Sequence, residues 1–209
     1  MENIQLIPKA RIPIVKFKDP RSGLDVDISL DNRLAIYNSH LLKSYAQEDR
    51  LRRLVHMVKY WASRRGINNA FDGSLSSYAW TLLTIQHAQL VQPALAPNRQ
   101  ENCPSKPLSF QGKTFDVGFN DDDFKTENTQ SLASLLISFF DRYATRWDWE
   151  SMVVSIRNGK AHSTKAKKWN HTGPLPLEVV TGVDDGRMEH VIPIEDPFDH
   201  EHDLSLIHI

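Results

Sequence analysis

The segment that decides the fold is LDVDISLDNRLAIYNSHLLKSY, residues 24–45, because its hydrophobic period changes partway along. Apolar and polar residues alternate from Leu24 to Leu30, which is typical of a β-strand with one buried face. From Asn32 to Tyr45 the apolar residues recur at helical spacing instead. The segment therefore joins a predicted strand directly to a predicted amphipathic helix.

The strand has a predicted partner upstream. Residues 11–17, RIPIVKF, have strand character, and DPRSG at 19–23 is a turn sequence. Together these segments predict a β-hairpin with one apolar, buried face and one acidic face. Because a two-stranded hairpin is barely stable alone, we expect a larger sheet, although the sequence offers no obvious further strand.

Three more helices are predicted downstream, at about 48–65, 73–91 and 129–147. Gly66 is a plausible C-cap for the first of these, and Pro93 closes the second. The chain is therefore expected to be mainly helical after the hairpin.

The remaining segments have weaker patterns. The proline-rich stretch 92–128 is predicted to be mostly a surface loop, with one short element near 115–119. Residues 152–163 predict a second hairpin around Asn158-Gly159, and a short strand is expected at 190–194.

Composition excludes several classes of protein. Of 209 residues, 40% are hydrophobic and 24% charged, an ordinary globular balance. No apolar run of about 18 residues and no signal peptide is present, so no membrane partner is expected. The single cysteine, Cys103, excludes an internal disulfide and a cysteine-based zinc site. It suits a reducing compartment; the cytoplasm is expected, and the nucleus and organelles stay open.

The net charge of −1 does not itself indicate a nucleic-acid partner. Basic residues nevertheless cluster at 50–65 and 157–168, whereas acidic residues gather at 121–123 and from Asp184 onward. The two basic clusters could form a phosphate-binding stripe or could be solvated faces, and charge alone does not decide between them.

Two features have a possible chemical role near the start of the chain. Asp25 and Asp27 project from one face of a strand, a geometry that can bind Mg²⁺ but also occurs on solvated faces. Lys59 lies at the edge of an apolar helical stripe. Its ammonium group could extend past the core to solvent or point into a neighbouring cleft.

Two further features lie later in the chain. GSLSSY, residues 73–78, begins a helix, where free N–H groups and hydroxyls can bind an anion or merely cap the helix. Tyr78 could stack on a base or pack in the core. DPFDHEH, residues 196–202, could bind metal or read the edge of a polar ligand through hydrogen bonds.

Taken in order, these segments resemble the template-independent RNA nucleotidyltransferases, above all the terminal uridylyltransferases and their cytoplasmic poly(A)-adding relatives. The resemblance extends from Ala10 to Asp203. It is carried by ARIPIVK (10–16), DIS (27–29) with NRLA (32–35), VKYWA (58–62), GSLSSY (73–78), SL (131–132) with FF (139–140), and IEDPF (194–198).

The resemblance implies an α+β architecture in which a β-hairpin remnant of the nucleotidyltransferase sheet precedes a mainly helical, PAP-associated domain. Residues 1–30 would belong to an incomplete catalytic domain. Residues 31–203 would form the helical domain, with a nucleotide-recognition motif near 195–203. LSLIHI, residues 204–209, matches the translation of a common sequencing adapter and is interpreted as a scar, with a natural strand as the alternative.

The resemblance also implies two-metal chemistry with Mg²⁺ or Mn²⁺ held by three carboxylates. Asp27 corresponds to the third carboxylate, and Asp25 is then incidental. The Gly-Ser loop and the other two carboxylates would lie before Met1. We therefore expect the 209-residue chain alone to be inactive.

The nucleotide-binding residues follow from the same resemblance. Each matches a family contact to ribose, triphosphate or base: Asn38 and Ser39 for the ribose hydroxyl, Lys59 and Ser77 for the triphosphate, Tyr78 for base stacking, and Asp196, Asp199 and His202 for base selection. His202 corresponds to the histidine that disfavours adenine. Ser63 stands where a second phosphate-binding lysine is common, and Asp199 replaces the more usual glutamate.

The implied activity is addition of UMP from UTP to RNA 3′ ends by a monomeric enzyme. Two alternatives remain at this stage. One keeps the fold and uses ATP as a cytoplasmic poly(A) polymerase, and the other is a catalytically dead RNA-binding scaffold.

Overall fold

The structure is a computed structural model and describes residues 2–8, 12–70, 73–110, 112–149, 151–157, 159, 162–163 and 192–204. It confirms the predicted α+β class, with four α-helices and small antiparallel sheets.

The N-terminal sheet has three strands, β1 (Glu2–Ile7), β2 (Ile14–Lys18) and β3 (Asp25–Ser29), in the order β1-β2-β3. The predicted hairpin is β2–β3, and both interstrand pairings of the three-stranded sheet are antiparallel. The expectation that the sequence offers no further strand was wrong, because β1 supplies one. β1 is an edge strand that is stabilised by its pairing with β2. Its own sequence has only a weak alternating pattern, so the strand was not predicted.

The apolar face of this sheet was predicted to be buried, and this was wrong. Leu24 is 64% exposed and Ile28 is 52% exposed. Leu6 lies opposite Val15, which lies opposite Ile28, so the three side chains form one row across the sheet. The described part of the chain leaves this row largely uncovered, because alternation fixes which residues share a face but not what packs against that face.

The predicted helices are all present, as α1 (Arg33–Tyr45), α2 (Asp49–Arg64), α3 (Ser77–Leu90) and α4 (Leu132–Asp141), and α4 continues into a π-helical turn at Arg142–Arg146. Their starts have local causes. The hydroxyls of Ser76 and Ser131 accept the backbone N–H of Ala79 and Ser134, each at 3.1 Å, and so cap α3 and α4.

Helix α3 is the central element of the core, and most of its residues are buried. Trp61 of α2 packs edge-on against Trp80 of α3, with ring centroids 5.6 Å apart, and against Phe140 of α4 at 4.7 Å. Trp80 also donates its indole N–H to the carbonyl of Ile67 at 2.8 Å. Three helices are thus joined by one aromatic cluster.

The connection between sheet and helices is short, since β3 ends at Ser29 and α1 begins at Arg33. Asp31, within this connection, has φ +51° in the left-handed region, which aspartate tolerates better than most residues. Its carboxylate accepts the Arg33 Nε–H at 2.7 Å.

The stretch 92–128 is mostly loop, as predicted, but its centre contains two short strands where one short element was expected. Pro107–Phe110 (β4) and Lys113–Asp116 (β5) form an antiparallel hairpin, and Gly112 takes φ +74° in its turn. The strands are only four residues long, and the neighbouring prolines concealed their alternation. The short element expected near 115–119 overlaps β5.

The hairpin predicted at 152–163 is confirmed, as β6 (Met152–Val153) paired with β7 (His162–Ser163). Gly159 has φ +59°, whereas Asn158 lies outside the described residues. The strand predicted at 190–194 is represented by a parallel bridge between Val154 and Ile194. Residues 190–191 also lie outside the described part. None of the helices that the structure describes has the length and apolarity to cross a membrane.

Candidate nucleotide-binding site

The motif near the end of the chain folds into a compact turn, which we name the acidic loop (residues 195–203). Its ends pair through an antiparallel bridge between Glu195 and Asp203. Within it, the backbone N–H of Asp196 donates to the carbonyl of His202 at 3.1 Å, and His202 N–H donates to the carbonyl of Asp199 at 2.9 Å. Three predicted base-selecting residues are therefore held in one hydrogen-bonded turn.

Two carboxylates of the acidic loop also shape it. Asp196 Oδ1 accepts the backbone N–H groups of Phe198 at 2.9 Å and Asp199 at 3.0 Å. Asp203 Oδ1 accepts the N–H of Ile194 at 3.1 Å. Asp196, Asp199 and Asp203 are all buried, and such hydrogen bonds offset part of the cost of burying charge. Asp196 thus has a structural role that the sequence did not indicate.

Tyr78, in the first turn of α3, lies beside the acidic loop. Burial raises the pKa of the Tyr78 hydroxyl far above its usual range, and the negative charge of Asp196 raises it further. The phenol oxygen is buried and has no hydrogen-bond partner among the described residues. The structure thus brings together two predicted base-binding residues, and the phenol stays protonated.

Ser77 and Lys59 lie on neighbouring helices that pack together through Trp61 and Trp80. Because Ser76 caps α3, the hydroxyl of Ser77 is not needed as the cap, and it accepts the Asn68 side-chain N–H at 3.4 Å. Lys59 is half-buried and makes no ion pair with any residue that the structure describes.

Asn38 and Ser39 lie on α1. The Asn38 Oδ1 atom is buried without a hydrogen-bond partner in the described part of the chain. Ser39 donates its hydroxyl to the carbonyl of Ala35 at 2.8 Å and lines an open cavity of about 410 Å³. Ser29, at the end of β3, lines the same cavity, so Ser39 faces the end of the sheet, whereas Asn38 does not line this cavity.

Asp27 lies two residues before Ser29 and therefore on the same face of β3. Its carboxylate is about half-exposed and pairs with Lys16 at 3.5 Å. No cluster of three ligating side chains occurs among the described residues, so within them Asp27 does not belong to a three-carboxylate metal site. The metal-binding alternative for the acidic loop gains no support from the same set of residues.

The basic cluster at 50–65 is partly engaged in structure. Arg50 donates to Asn128 Oδ1 at 3.2 Å and to the carbonyl of Gln130 at 3.0 Å. Arg52 and Arg53 both pair with Asp49. Most of the second cluster, including Lys160, Lys165, Lys167 and Lys168, lies outside the described residues.

Sequence reasoning missed the contacts that hold the acidic loop against the segment 99–119. Gln100 Nε2 donates to the carbonyl of Pro197 at 2.8 Å, and the rings of Phe119 and Phe198 are 6.4 Å apart. A contact between residues so far apart in the sequence leaves no periodic signal, and only the structure could find it.

Two parts of this chain match known protein families. Residues 1–47 match the family described as "Poly(A) RNA polymerase, mitochondrial-like, central palm domain". Residues 131–202 match the "Cid1 family poly A polymerase" family. The proposed domain boundary between residues 30 and 31 stays a prediction.

The interpretation of residues 204–209 as a scar also stays a prediction. Leu204 donates its N–H to the carbonyl of Ile194 at 2.8 Å, while residues 205–209 lie outside the described part.

Several curated proteins are similar over most of this chain. Terminal uridylyltransferase cid1 of Schizosaccharomyces pombe is 34% identical over 96% of this chain and 51% of its own length. Poly(A) RNA polymerase GLD2 of Homo sapiens is 36% identical over 77% of this chain and 34% of its length. Terminal uridylyltransferase 4 of Homo sapiens is 35% identical over 98% of this chain and 12% of its length. The chain therefore spans about half the length of the first relative and less of the others.

Solved structures of Cid1 have the same fold as this chain. Cid1 poly(U) polymerase bound to Mg and 3′-dATP superposes with a TM-score of 0.79 at 32% identity, covering 97% of this chain and 59% of that one. Cid1 in complex with its short product ApU gives 0.79 at 31% identity, over 97% and 61%. With matching sequence blocks, family descriptions and fold, the chain belongs to the family of template-independent RNA nucleotidyltransferases that includes the terminal uridylyltransferases and the Cid1-like poly(A) RNA polymerases.

Proposed function

We propose that this chain supplies the nucleotide-binding residues of an RNA terminal uridylyltransferase, which adds UMP from UTP to RNA 3′ ends. The observation that carries the proposal is the pairing of Tyr78 with the buried acidic loop. The neutral phenol ring of Tyr78 offers a surface for stacking, and the buried polar groups of the acidic loop offer hydrogen bonds. This combination fits a flat ligand with hydrogen-bonding edges, such as a nucleobase.

The acidic loop offers chemistry that suits uracil. Its carboxylates accept hydrogen bonds and can receive the N3–H of the base, and the imidazole of His202 can donate to a base carbonyl. The backbone bonds that join His202 to Asp196 and Asp199 keep these groups in a fixed arrangement. A preformed, narrow site of this kind can also reject the larger purine.

The remaining residues fit the sugar and phosphates. The buried Oδ1 of Asn38, which has no hydrogen-bond partner among the described residues, is an acceptor for a ribose hydroxyl. Lys59 and Ser77 would contact the triphosphate, where Lys59 has no competing ion pair among the described residues. Ser63, one turn from Lys59, adds no charge there, so the grip on the γ-phosphate is weaker than two lysines would give.

We propose Mg²⁺ (or Mn²⁺) as the cofactor, which when bound would neutralise phosphate charge and activate the RNA hydroxyl. Asp27 provides one hard oxygen ligand of the type that Mg²⁺ prefers. The described residues contain no cluster of three ligands, so the proposal requires further carboxylates from the catalytic domain of the whole protein. Lys16 would orient the Asp27 carboxylate through their ion pair.

The RNA 3′ end is the proposed second substrate, and we propose a monomer that acts in the cytoplasm. A second candidate keeps the same site but uses ATP. It is favoured by the 36% identity to human GLD2, which is named a poly(A) RNA polymerase.

The test is nucleotide incorporation by the whole protein on an RNA primer, with kcat/KM measured separately for UTP and ATP. A higher kcat/KM for UTP supports the uridylyltransferase, and a higher value for ATP supports the second candidate. RNA binding without incorporation of any nucleotide would support the scaffold alternative.

A further inference from the structure

Arg99 and Gln100 are adjacent residues whose side chains bond to two different elements of the proposed nucleotide site. Arg99 donates from its guanidinium to the carbonyl of Ser44, in the last turn of α1, at 2.8 Å. Gln100 donates from Nε2 to the carbonyl of Pro197, in the acidic loop, at 2.8 Å. One peptide unit therefore connects the helix that carries Asn38 and Ser39 with the loop that carries Asp196, Asp199 and His202.

The Arg99 end of this connection is fixed. The side chain is only 3% exposed, and its guanidinium also donates to the carbonyls of Asn120 at 2.9 Å and Asp122 at 3.2 Å. Its charge lies over the ring of Tyr45, 5.4 Å from the centroid. A buried arginine with this many partners is a rigid anchor, since moving it would leave several of its N–H groups unpaired.

The Gln100 end has one possible orientation. A carbonyl oxygen only accepts hydrogen bonds, so the amide must present its nitrogen to Pro197. Its Oε1 is then buried and has no hydrogen-bond partner within the described residues. This arrangement costs free energy, which indicates that the bond to Pro197 determines the orientation of the side chain.

Other contacts between the acidic loop and the neighbouring hairpin are weaker. Lys113 and Glu201 are 3.4 Å apart, but both side chains are mostly exposed, and exposed ion pairs contribute little. Phe119 and Phe198 pack at 6.4 Å without directional constraint. The start of the loop is held by the backbone bond from the Glu195 N–H to the Val154 carbonyl at 2.9 Å. Gln100 adds a short, directional side-chain bond to the turn in which Asp196 and Asp199 lie.

We propose that Gln100 is a positioning residue for base selection. It fixes the acidic loop relative to α1 and so sets the separation between the groups that read the base and those that hold the ribose. This inference rests on the proposed function, because it concerns the same site. A base that is held too far from its polar partners loses discrimination, while the triphosphate contacts on α2 and α3 are unaffected.

The experiment uses the whole protein with Gln100→Leu, which keeps the side-chain size and removes the donor, and Gln92→Leu as a control at an exposed position. The kcat and KM for UTP and for ATP are measured on one RNA primer, together with the thermal unfolding midpoint. We expect Gln100→Leu to reduce the ratio of kcat/KM between the two nucleotides by about three- to tenfold, the size expected from one hydrogen bond. The change should lie mainly in KM, and Gln92→Leu should leave the ratio unchanged.

The outcomes separate the two claims. A wild-type protein that discriminates between nucleotides, together with an unchanged ratio in Gln100→Leu, overturns the role of Gln100 and leaves the proposed function intact. An equal loss of kcat/KM for both nucleotides with a lower unfolding midpoint also overturns it, since that is the result of a merely structural role. If Gln100→Leu does not fold, Gln100→Glu takes its place, because a carboxylate of the same size cannot donate to Pro197. A wild-type protein that incorporates no nucleotide overturns both claims.

Discussion

Tyr78 and Asp196 lie side by side in the fold although most of the chain separates them in the sequence, and the Asp196 charge acts on the buried Tyr78 hydroxyl. This hydroxyl has no hydrogen-bond partner among the described residues. The ring and the hydroxyl should therefore have separable effects. In the whole protein, we expect Tyr78→Ala to raise the KM for UTP about tenfold or more, because base stacking contributes about 1–3 kcal/mol. Tyr78→Phe should leave the KM within about fivefold of wild type, since one neutral hydrogen bond contributes about 1 kcal/mol.

A comparable loss in Tyr78→Phe and Tyr78→Ala would contradict the stacking role and assign the binding to the hydroxyl. Thermal unfolding provides the control. Tyr78→Phe removes a buried polar atom that has no hydrogen-bond partner in the described part of the chain, and it is expected to be at least as stable as the wild type.

The second prediction concerns Asp196, whose Oδ1 holds the acidic loop in shape. Asp196→Ala leaves the N–H groups of Phe198 and Asp199 without their acceptor, so we expect a loss of about 1–3 kcal/mol in the free energy of unfolding. Asp196→Asn keeps an acceptor oxygen in place and should lose less. Urea unfolding of the purified chain measures both variants, and equal losses would show that charge rather than hydrogen bonding stabilises the loop.

Adjacent serines at the start of α3 should respond differently to the same substitution. Ser76 caps the helix, and we expect Ser76→Ala to lower the free energy of unfolding by about 1 kcal/mol. Ser77→Ala should change stability less and raise the KM for UTP in the whole protein. The idea fails if Ser77→Ala leaves nucleotide kinetics unchanged, because Ser77 would then have no phosphate contact to lose.

His87 makes stability depend on pH. Burial lowers its pKa to about 4, and the nearby charge of Arg142 acts in the same direction. Arg142 also donates to His87 Nδ1 at 3.1 Å, which requires that nitrogen to be unprotonated. Because the unfolded state binds the proton more readily, the stabilisation is present above the unfolded pKa of about 6.5 and is lost as pH falls toward about 4.

The free energy of unfolding measured by urea titration at several pH values tests this. Between pH 6.5 and 4 we expect the wild type to lose up to about 3 kcal/mol more than His87→Gln, which cannot take up the proton. Parallel curves for the two proteins would show that other groups cause the acid sensitivity.

The uncovered row on the sheet leads to a prediction about self-association. Leu6 is 70% exposed and Ile28 is 52% exposed, and exposed apolar patches promote association. Leu6→Lys with Ile28→Lys should reduce aggregation of the 209-residue chain in light scattering, with a small effect on the free energy of unfolding.

A substitution in the core should have the opposite profile. Leu54→Ala should cost about 2–5 kcal/mol in the free energy of unfolding, measured by urea titration.

Much of the fold could be predicted from the sequence, because helical periodicity around Leu54 or Leu135 reports directly which face is buried. The short strands β1 and β4 were missed, since their pairing depends on neighbours rather than on a strong local pattern. The exposed side of β3 was misjudged for a related reason: alternation carries no information about the covering layer. In the site, the roles of Tyr78 and Asp196 came from the family resemblance. The bond from Gln100 to Pro197 could not be predicted from the sequence, because a single hydrogen bond between an amide and a distant carbonyl leaves no sequence pattern.

The left-handed turn at Asp31 has a consequence for how the two halves of the site can vary. Three residues connect β3, which carries Asp27, to α1, which carries Asn38, so the relative position of these two side chains depends on one short connection. An insertion there would displace Asn38 relative to Asp27, and in the proposed enzyme it would separate the ribose contact from the metal ligand. If the proposed function holds, this connection must keep its length, whereas the groups that select the base lie in a separate part of the sequence and can change without altering it.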